Sequence, residues 1–377
     1  MSQTRSANPF RPGSGIFPPL LSGREPETAL LEARVARTRE GHPQHTALLG
    51  EWAIGKTTPL MHWRRRLEQA GDRAVLTMAY PQPRDDFLAR LTGAVAAESE
   101  RGWAGKVDLE VGLDVGLATA RLRKPAADVE RELRVTLRRA ARVGEGRTLV
   151  VMVDDVDLVD TPGDALLQLR AIALELYAAD VTVSFVVTAS PGLFGAIRGA
   201  HEPLVRFFEP ITLGPLQAAA LAEAITRPLA DTGVTFDEDV VTEIGELSGG
   251  RPYYLQKLAY YAFDAAERGR VGRPGFAAAF ERAFASVSQE IFAARWSAMS
   301  PTERRVVAVV ASASAARPSG RSRGTPSGSG SRRPPLGGPS TGWSPAAIDR
   351  TANGQRGRYL VIDPLFRRYL ELQACDR

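Results

Sequence analysis

The chain has 377 residues, a formal net charge of +5 and 44% hydrophobic residues, enough for two or three domains that each bury a core. A single cysteine, Cys375, excludes an intrachain disulfide, and the apolar runs are too short for a membrane span, so we expect a soluble cytoplasmic protein. The five arginines between positions 317 and 345 equal the whole net charge, so the charge of the remaining chain does not favour a nucleic-acid partner.

The first part of the chain alternates short buried strands with helices. Residues 1–20 are rich in proline and glycine and are expected to form an extended segment. Strands are expected at His45–Leu49, Arg73–Ala79, Thr148–Val153 and Val181–Thr188. Helices are expected at Glu25–Glu40, Leu60–Gln69, Asp86–Ser99, Ala126–Arg142 and Pro162–Ala178. This order predicts an α/β core over residues 21–213, with a parallel sheet covered by helices on both faces.

One stretch of this core departs from the pattern of buried strands. Residues 107–117, VDLEVGLDVGL, alternate apolar and polar side chains. Because that period of two is typical of a half-exposed strand, it predicts an exposed strand or hairpin.

The remaining chain is expected to be wholly helical from Leu216, as a lid domain over residues 214–285, followed by a C-terminal region over 286–377. Within that region, residues 312–356 are dominated by proline, serine and glycine and are expected to be disordered. Order is expected to return at Gly357–Leu372. The Arg/Ser/Pro/Gly stretch at 317–356 is open to two interpretations, a genuine linker or a local frameshift, which translation of the DNA in the other frames would distinguish.

A phosphate-binding motif follows the first strand. The sequence GEWAIGKT at 50–57 fits G-x-x-x-x-G-K-[ST], in which glycines let backbone N–H groups point at phosphate oxygens. Lys56 is expected to neutralise the β- and γ-phosphates, and the Thr57 hydroxyl is expected to reach Mg²⁺. The residues assigned to the nucleotide here are Gly50, Glu51, Trp52, Ala53, Ile54, Gly55, Lys56, Thr57 and Thr58.

A proline lies close behind this motif, at Pro59. Inside a helix proline costs about 3 kcal/mol, because it loses a hydrogen bond and clashes with the preceding turn. The first four N–H groups of a helix have no partner within the helix, so Pro59 is tolerated if the helix begins at Gly55 or Lys56. The residue before proline avoids helical angles, which leaves the geometry of Thr57 and Thr58 open.

The strand at residues 149–153 ends in two acids. Asp154 is expected to hold Mg²⁺, commonly through water, and Asp155 to orient or deprotonate the attacking water. Thr188 ends the next strand, where it is either a sensor of the γ-phosphate or a simple strand-end threonine. The four histidines show no metal-ligand spacing.

Together these motifs resemble the P-loop ATPases of the AAA+/STAND group, and in particular bacterial ATPases with an origin-recognition-like AAA domain. The resemblance covers about residues 8–284. The stretch PPLLSGRE at 18–25 is similar to the family's N-terminal box, which implies that Gly23 and Arg24 lie against the adenine. The stretch LSGGRPYY at 247–254 is similar to the family's lid motif, which implies contact of Pro252 with the base and of Arg251 with the phosphates. The family's closing winged-helix domain is implied for residues 286–377, degraded or interrupted by the disordered segment.

The resemblance implies a protein that binds ATP or ADP with Mg²⁺ and acts as an ATPase and nucleotide-driven conformational switch. Typical AAA+ motifs end this strand in Asp-Glu, whereas Asp154-Asp155 is the form found in many STAND proteins. The shorter second acid leaves the rate of hydrolysis open. Two alternatives are a slow-hydrolysing signalling adaptor with a protein partner, and an ATP-regulated DNA-binding protein that uses its C-terminal region. No membrane partner is expected.

Overall fold

The computed structural model describes residues 7–13, 21–101, 126–142, 148–315, 348–350, 359–361 and 363–375. The chain divides into two compact units. The α/β unit has described residues from Leu21 to Gly214, and the helical unit combines residues 7–13 with the chain from Pro215 onward. The strand expected at 107–117 lies outside the described residues.

The α/β unit alternates strands and helices along the chain. Its strands are β1 (His45–Gly50), β2 (Arg73–Met78), β3 (Leu149–Asp154), β4 (Val183–Ala189) and β5 (Phe208–Leu213). Its helices are α1 (Glu25–Arg39), α2 (Thr57–Gln69), α3 (Arg84–Arg101), α4 (Ala126–Arg142), α5 (Pro162–Tyr177), α6 (Pro191–Ala200) and α7 (Glu202–Phe207). A 3₁₀ turn, Val156–Leu158, follows β3.

The five strands form one parallel sheet in the order β2-β3-β4-β1-β5. Successive side chains of a strand point to opposite faces. Val150 and Met152 of β3 therefore join a buried cluster with α1 and α2, whereas Val151 and Val153 join a second cluster with α3, α4 and α5. The expected parallel α/β core with both faces covered is confirmed.

Three elements at the end of this unit, α6, α7 and β5, were missed by sequence analysis. β5 lies at the edge of the sheet beside β1, with Leu48 opposite Ile211. It contains Pro210, which an edge strand tolerates because one side of its backbone needs no partner. Only three of its six residues are buried, so it lacks the continuous apolar run by which the other strands were found.

The helical unit contains helices α8 (Ala218–Leu229), α9 (Glu238–Ser248), α10 (Pro252–Asp264), α11 (Arg273–Val287), α12 (Ala293–Ala298), α13 (Pro301–Ala315) and α14 (Pro364–Cys375). A π-helical turn at Ser288–Phe292 joins α11 to α12. Its short strands are β6 (Thr235–Phe236), parallel to β7 (Arg270–Val271), and β8 (Ile348–Arg350), antiparallel to β9 (Tyr359–Val361).

Two expectations for this unit need correction. The chain after Leu216 is not wholly helical, because β6 pairs with β7, and strands of two residues are too short to show a period-two pattern. The segment 312–356 is not disordered throughout, since α13 continues to Ala315 and β8 lies inside it. Residues 316–347 and 351–358 lie outside the described residues, so the linker and frameshift interpretations both stay open, and the winged helix stays a prediction.

Within the described ranges, no helix combines the length and the apolar composition that crossing a membrane requires.

Candidate functional site

The motif residues meet at the carboxyl ends of the strands, which form one end of the sheet. β1 leads into the glycine-lysine loop, β3 ends at Asp154, and β4 lies between these two strands. Because the strands are parallel, their carboxyl ends lie at the same end of the sheet, where open α/β sheets form ligand crevices. Thr188 lies opposite Leu48 in the strand register and so lies beside both motifs.

The loop between β1 and α2 is tightly curled. A Cβ on Gly50 would lie 2.5 Å from Ile54 Cγ2, closer than atoms can approach. Ala53 and Gly55 adopt positive φ angles of 64° and 82°. Glycine accepts this conformation freely, whereas for alanine it costs roughly 1–2 kcal/mol. The loop backbone is therefore held in a strained curl at Ala53.

Helix α2 begins at Thr57, so Pro59 is its third residue. The N–H group that proline lacks is one of the four at a helix start that have no partner within the helix. Pro59 is buried, and Thr57 and Thr58 are both in helical conformation. The helix starts one or two residues later than expected, and Pro59 still removes no hydrogen bond from it.

Asp154 joins the two motifs through hydrogen bonds to its carboxylate. Thr57 Oγ1 donates to Asp154 Oδ2 at 2.6 Å, and Thr188 Oγ1 donates to Asp154 Oδ1 at 2.6 Å. The Asp154 side chain is fully buried. Burial raises its pKa, and the charge of Asp155 raises the pKa further, while the two threonine hydroxyls and Lys56 lower it.

Asp155 and Lys56 form an ion pair at the mouth of the loop. Lys56 Nζ lies 3.5 Å from Asp155 Oδ1 and donates to the carbonyl oxygen of Gly50 at 3.3 Å. Asp155 has a positive φ of 52°, and its backbone N–H donates to Thr188 Oγ1 at 2.7 Å. The Asp155 side chain is 38% exposed, whereas that of Lys56 is 11% exposed. The carboxylate is therefore accessible to water.

Thr188 holds both acids. Its hydroxyl proton goes to Asp154 and its oxygen accepts the Asp155 N–H, so the structure places it in contact with the acids at the end of β3. This bonding extends the two interpretations of Thr188 by a third, in which it positions the two aspartates.

Arg24 contacts the loop from the start of the α/β unit. Its NH2 donates to the carbonyl oxygen of Ile54 at 3.2 Å, and its NH1 pairs with Glu27 at 3.3 Å. The guanidinium is only 4% exposed, and burial lowers its pKa although Glu27 and Glu25 raise it. Gly23, beside it, has a φ of 68° and donates its N–H to Glu25. Arg24 thus supports the backbone of the loop.

The other predicted loop residues differ in exposure. Trp52 is 51% exposed, whereas Ile54 is buried. The carbonyl of Glu51 accepts the Ile54 N–H at 3.3 Å, which closes a turn within the loop. The loop therefore presents a tryptophan on its surface.

The lid motif lies in the helical unit. Pro252 is the first residue of α10, and Arg251 Nε lies 3.8 Å from Asp363 Oδ2. Asp363 is 1% exposed and also accepts a 2.8 Å hydrogen bond from the hydroxyl of Tyr254. Gly250 has no room for a Cβ, which would lie 2.6 Å from Pro215 Cβ. Nucleotide contacts of Arg251 and Pro252 stay predictions.

Two residues near the site, Asp157 and Ser190, fix the start of α6. The carboxylate of Asp157 accepts hydrogen bonds from the N–H of Ser190 at 2.8 Å and from its hydroxyl at 2.7 Å. Ser190 in turn caps α6 at Leu193, and Ser-Pro at 190–191 is a helix-start signal that could have predicted α6. In the described part of the chain, no group of three or more His, Cys, Asp or Glu residues forms a metal site.

The fold and the loop at the carboxyl end of this sheet are similar to those of P-loop ATPases of the AAA+ class. Residues 20–178 match the family model described as the AAA ATPase domain. This part of the chain therefore resembles an AAA ATPase domain, and the chain shares the fold of origin-recognition-like AAA+ proteins. A search of curated protein sequences gave no match to the chain.

Several solved structures share this fold. The Walker-type ATPase of Pyrococcus abyssi is 16% identical, with a TM-score of 0.57 over 93% of this chain and 96% of that one. The Orc2 protein of Aeropyrum pernix, in its ADPNP and ADP complexes, is 16% identical, with a TM-score of 0.54 over 80% and 77%. The Orc1 protein of Aeropyrum pernix in complex with DNA is 19% identical, with a TM-score of 0.51 over 78% and 73%. Similarity at this level establishes the fold.

Proposed function

We propose that this protein binds ATP, hydrolyses it with Mg²⁺, and uses the exchange of nucleotide as a conformational switch. The observation that carries the proposal is the convergence of Lys56, Thr57, Asp154 and Asp155 at one edge of the sheet. These four side chains have the charges and donor groups that phosphoryl transfer from a nucleotide requires. The AAA ATPase domain over residues 20–178 supports the same assignment.

The residues present fit the nucleotide and the metal. The loop is tightly curled at Gly50, as a loop that wraps a phosphate group must be, and Lys56 supplies a positive charge beside it. Thr57 and Asp154 supply a hydroxyl and a carboxylate oxygen, which are ligands that Mg²⁺ prefers, and two protein ligands leave positions for water and phosphate. When bound, Mg²⁺ neutralises charge that develops on the phosphate oxygens.

The side chains at this edge then have separate tasks. Lys56 exchanges its contacts with Gly50 and Asp155 for phosphate oxygens, which releases the Asp155 carboxylate. Asp155, which is partly exposed, orients or deprotonates the attacking water. Thr188 keeps Asp154 and the backbone of Asp155 in place throughout.

Contacts with the base form a further part of the proposal. Gly23 and Arg24 precede the loop, and Arg24 already touches it at Ile54. Pro252 is proposed to contact the base. For Arg251 to reach the phosphates it would have to leave Asp363, with which it pairs in this structure.

Slow hydrolysis is a second candidate, favoured by one observation. The second acidic residue of the motif, Asp155, is an aspartate and so is shorter than the glutamate of typical AAA+ motifs. Its Oδ1 lies 3.5 Å from Lys56 Nζ. In this candidate Asp155 keeps its ion pair with Lys56 when nucleotide is bound, and a short carboxylate paired with the lysine is less able to reach an attacking water. The protein would then hold ATP or ADP as a long-lived signal to a partner protein.

A nucleotide titration combined with measurement of phosphate release tests both candidates. Lys56→Ala should abolish binding, whereas Asp155→Asn should bind ATP and release no phosphate above background. Asp160→Asn is the matched control, because Asp160 is an exposed acid a few residues further along. Unchanged ATP binding by Lys56→Ala would contradict both candidates. ATP binding by the wild type without phosphate release would select the slow switch.

Nucleic-acid binding through the C-terminal region stays a separate hypothesis. Phosphate contacts by Lys and Arg release counterions, so such binding must weaken steeply as salt rises. Fluorescence anisotropy with a labelled DNA duplex at about 50 and 200 mM salt tests it. Binding that is absent at low salt, with and without ATP, contradicts the hypothesis.

A further inference from the structure

The N-terminal segment is part of the helical unit although it lies more than two hundred residues away from it in sequence. Phe10 is only 1% exposed. Its ring lies 6.0 Å from the ring of Phe236 in β6 and 6.5 Å from the ring of Phe263 in α10. One aromatic side chain therefore anchors an otherwise irregular segment in an aromatic site.

Hydrogen bonds surround this anchor on both sides. Asn8 Nδ2 donates to the carbonyl oxygen of Tyr260 at 3.0 Å and to Asp264 Oδ1 at 2.9 Å. The backbone N–H of Arg11 donates to Gln256 Oε1 at 3.1 Å. Three residues of α10 thus contact the segment at the positions before and after the ring.

The segment is also closed on itself. Asn8 Oδ1 accepts the backbone N–H of Phe10 at 3.0 Å, which forms an Asx turn around Pro9. Both polar atoms of the Asn8 side chain are therefore used, one for the turn and the other for α10. A turn fixed by an asparagine and a proline loses little conformational entropy on docking.

We propose that α10 and β6 form a peptide-binding socket specific for an Asn-Pro-Phe turn, and that Asn8-Pro9-Phe10 is its intramolecular ligand. Phe236 and Phe263 select the aromatic ring, whereas Asp264 and the Tyr260 carbonyl select the amide of the asparagine. The socket contacts the side chains at the two ends of the turn, Asn8 and Phe10. These contacts do not require the turn to be covalently joined to the rest of the chain. The same peptide should bind when supplied as a separate molecule.

The effective concentration of the tethered segment sets a limit on the affinity that the separate peptide should have for the socket. A ligand tethered in the same chain acts at an effective concentration on the order of 1 mM. For the socket to be filled by its own segment most of the time, the separate peptide should bind with a Kd of about 0.1 mM or tighter. Loss of the buried ring should weaken binding about 10- to 100-fold.

The proposal is tested by cleaving the N-terminal segment from the folded protein. A protease site is inserted between Gly13 and Leu21, and the full chain is cleaved after purification. The fragment should co-elute with the protein at high concentration and be displaced by an excess of synthetic peptide of residues 1–13. A fluorescent form of this peptide should bind the cleaved chain after dilution and dialysis, and should not bind the uncut chain, whose socket is filled.

Two peptide variants test whether the side chains of Phe10 and Asn8 account for binding of the peptide to the socket. Phe10→Ala and Asn8→Ala peptides should compete at least about tenfold less well than the parent. Arg11→Ala is the matched control, because Arg11 contacts the socket through its backbone, and it should compete like the parent. Release of the fragment without rebinding of the peptide would overturn the proposal, as would equal competition by the Phe10→Ala peptide.

Discussion

Thr57 Oγ1 donates a 2.6 Å hydrogen bond to Asp154 Oδ2, which joins two residues 97 positions apart in the chain. One belongs to the first turn of α2 and the other to the last position of β3. The pair brings a hydroxyl and a carboxylate to the same point, where the proposed Mg²⁺ ion has its protein ligands.

Substitution of Thr57 tests this pair directly. Thr57→Ala removes the hydroxyl and should weaken Mg²⁺-dependent ATP binding about tenfold or more, because a buried carboxylate loses a hydrogen-bond donor and the ion loses a ligand. Thr57→Ser keeps the hydroxyl and should bind like wild type. Thr58→Ala is the neighbouring control. Titration of ATP with and without Mg²⁺ measures the effect, and equal losses in Thr57→Ala and Thr58→Ala would contradict it.

Ala53→Gly should stabilise the loop. Ala53 has a φ of 64°, which costs an alanine roughly 1–2 kcal/mol and a glycine almost nothing. Part of the gain is offset because glycine makes the unfolded chain more flexible, by about 0.4–1 kcal/mol. We expect a net gain in the free energy of unfolding of about 0.5–1 kcal/mol by denaturant titration. A lower stability than wild type would show that the strain is absent in solution.

Arg24 should act on affinity more than on turnover. Its guanidinium holds the Ile54 carbonyl at 3.2 Å, so Arg24→Gln should leave the loop less ordered and weaken ATP binding by about tenfold. Glu27→Gln removes the ion pair of Arg24 but leaves the hydrogen bond to Ile54, so it should weaken ATP binding less than Arg24→Gln. We expect a raised KM with kcat little changed. A fall in kcat at constant KM would assign Arg24 a role in the chemical step.

His45 should make the stability depend on pH. It is stacked on Phe207 with ring centroids 4.1 Å apart, its Nδ1 accepts the Phe185 N–H, and burial lowers its pKa to about 3. The unfolded chain has the ordinary pKa near 6.5, so it binds the proton between about pH 3 and 6.5 while the folded chain does not. The free energy of unfolding should therefore fall as the pH decreases below about 6.5, by up to about 1.4 kcal/mol per unit.

His45→Asn isolates this contribution, because its carbonyl oxygen can accept the Phe185 N–H and does not titrate. Denaturant titrations between pH 4 and 7 should give a shallower slope for the variant than for the wild type. Parallel pH profiles for the two proteins would contradict the assignment of the effect to His45.

Local patterns were sufficient for the motifs and for the class of fold. The glycine-lysine loop between a strand and a helix, the acids at the end of β3 and the alternation of strands with helices are all features of short segments. Pro59 could be accepted from the same local reasoning, because the unpaired N–H groups at a helix start are a general property of helices. Short or half-exposed elements such as β5 and β6 were missed, because their few residues carry too little periodic signal.

By itself, the sequence determined that this protein has a phosphate-binding loop on a parallel α/β core, because loop curvature, strand burial and helix starts depend on neighbouring residues. Which residues far apart in the sequence contact each other is known only from the tertiary structure. It placed Thr188 on both aspartates, Arg24 on the Ile54 carbonyl and Phe10 among the rings of the helical unit. Such pairings follow from strand order and from packing between segments far apart in the chain, and no local pattern encodes them.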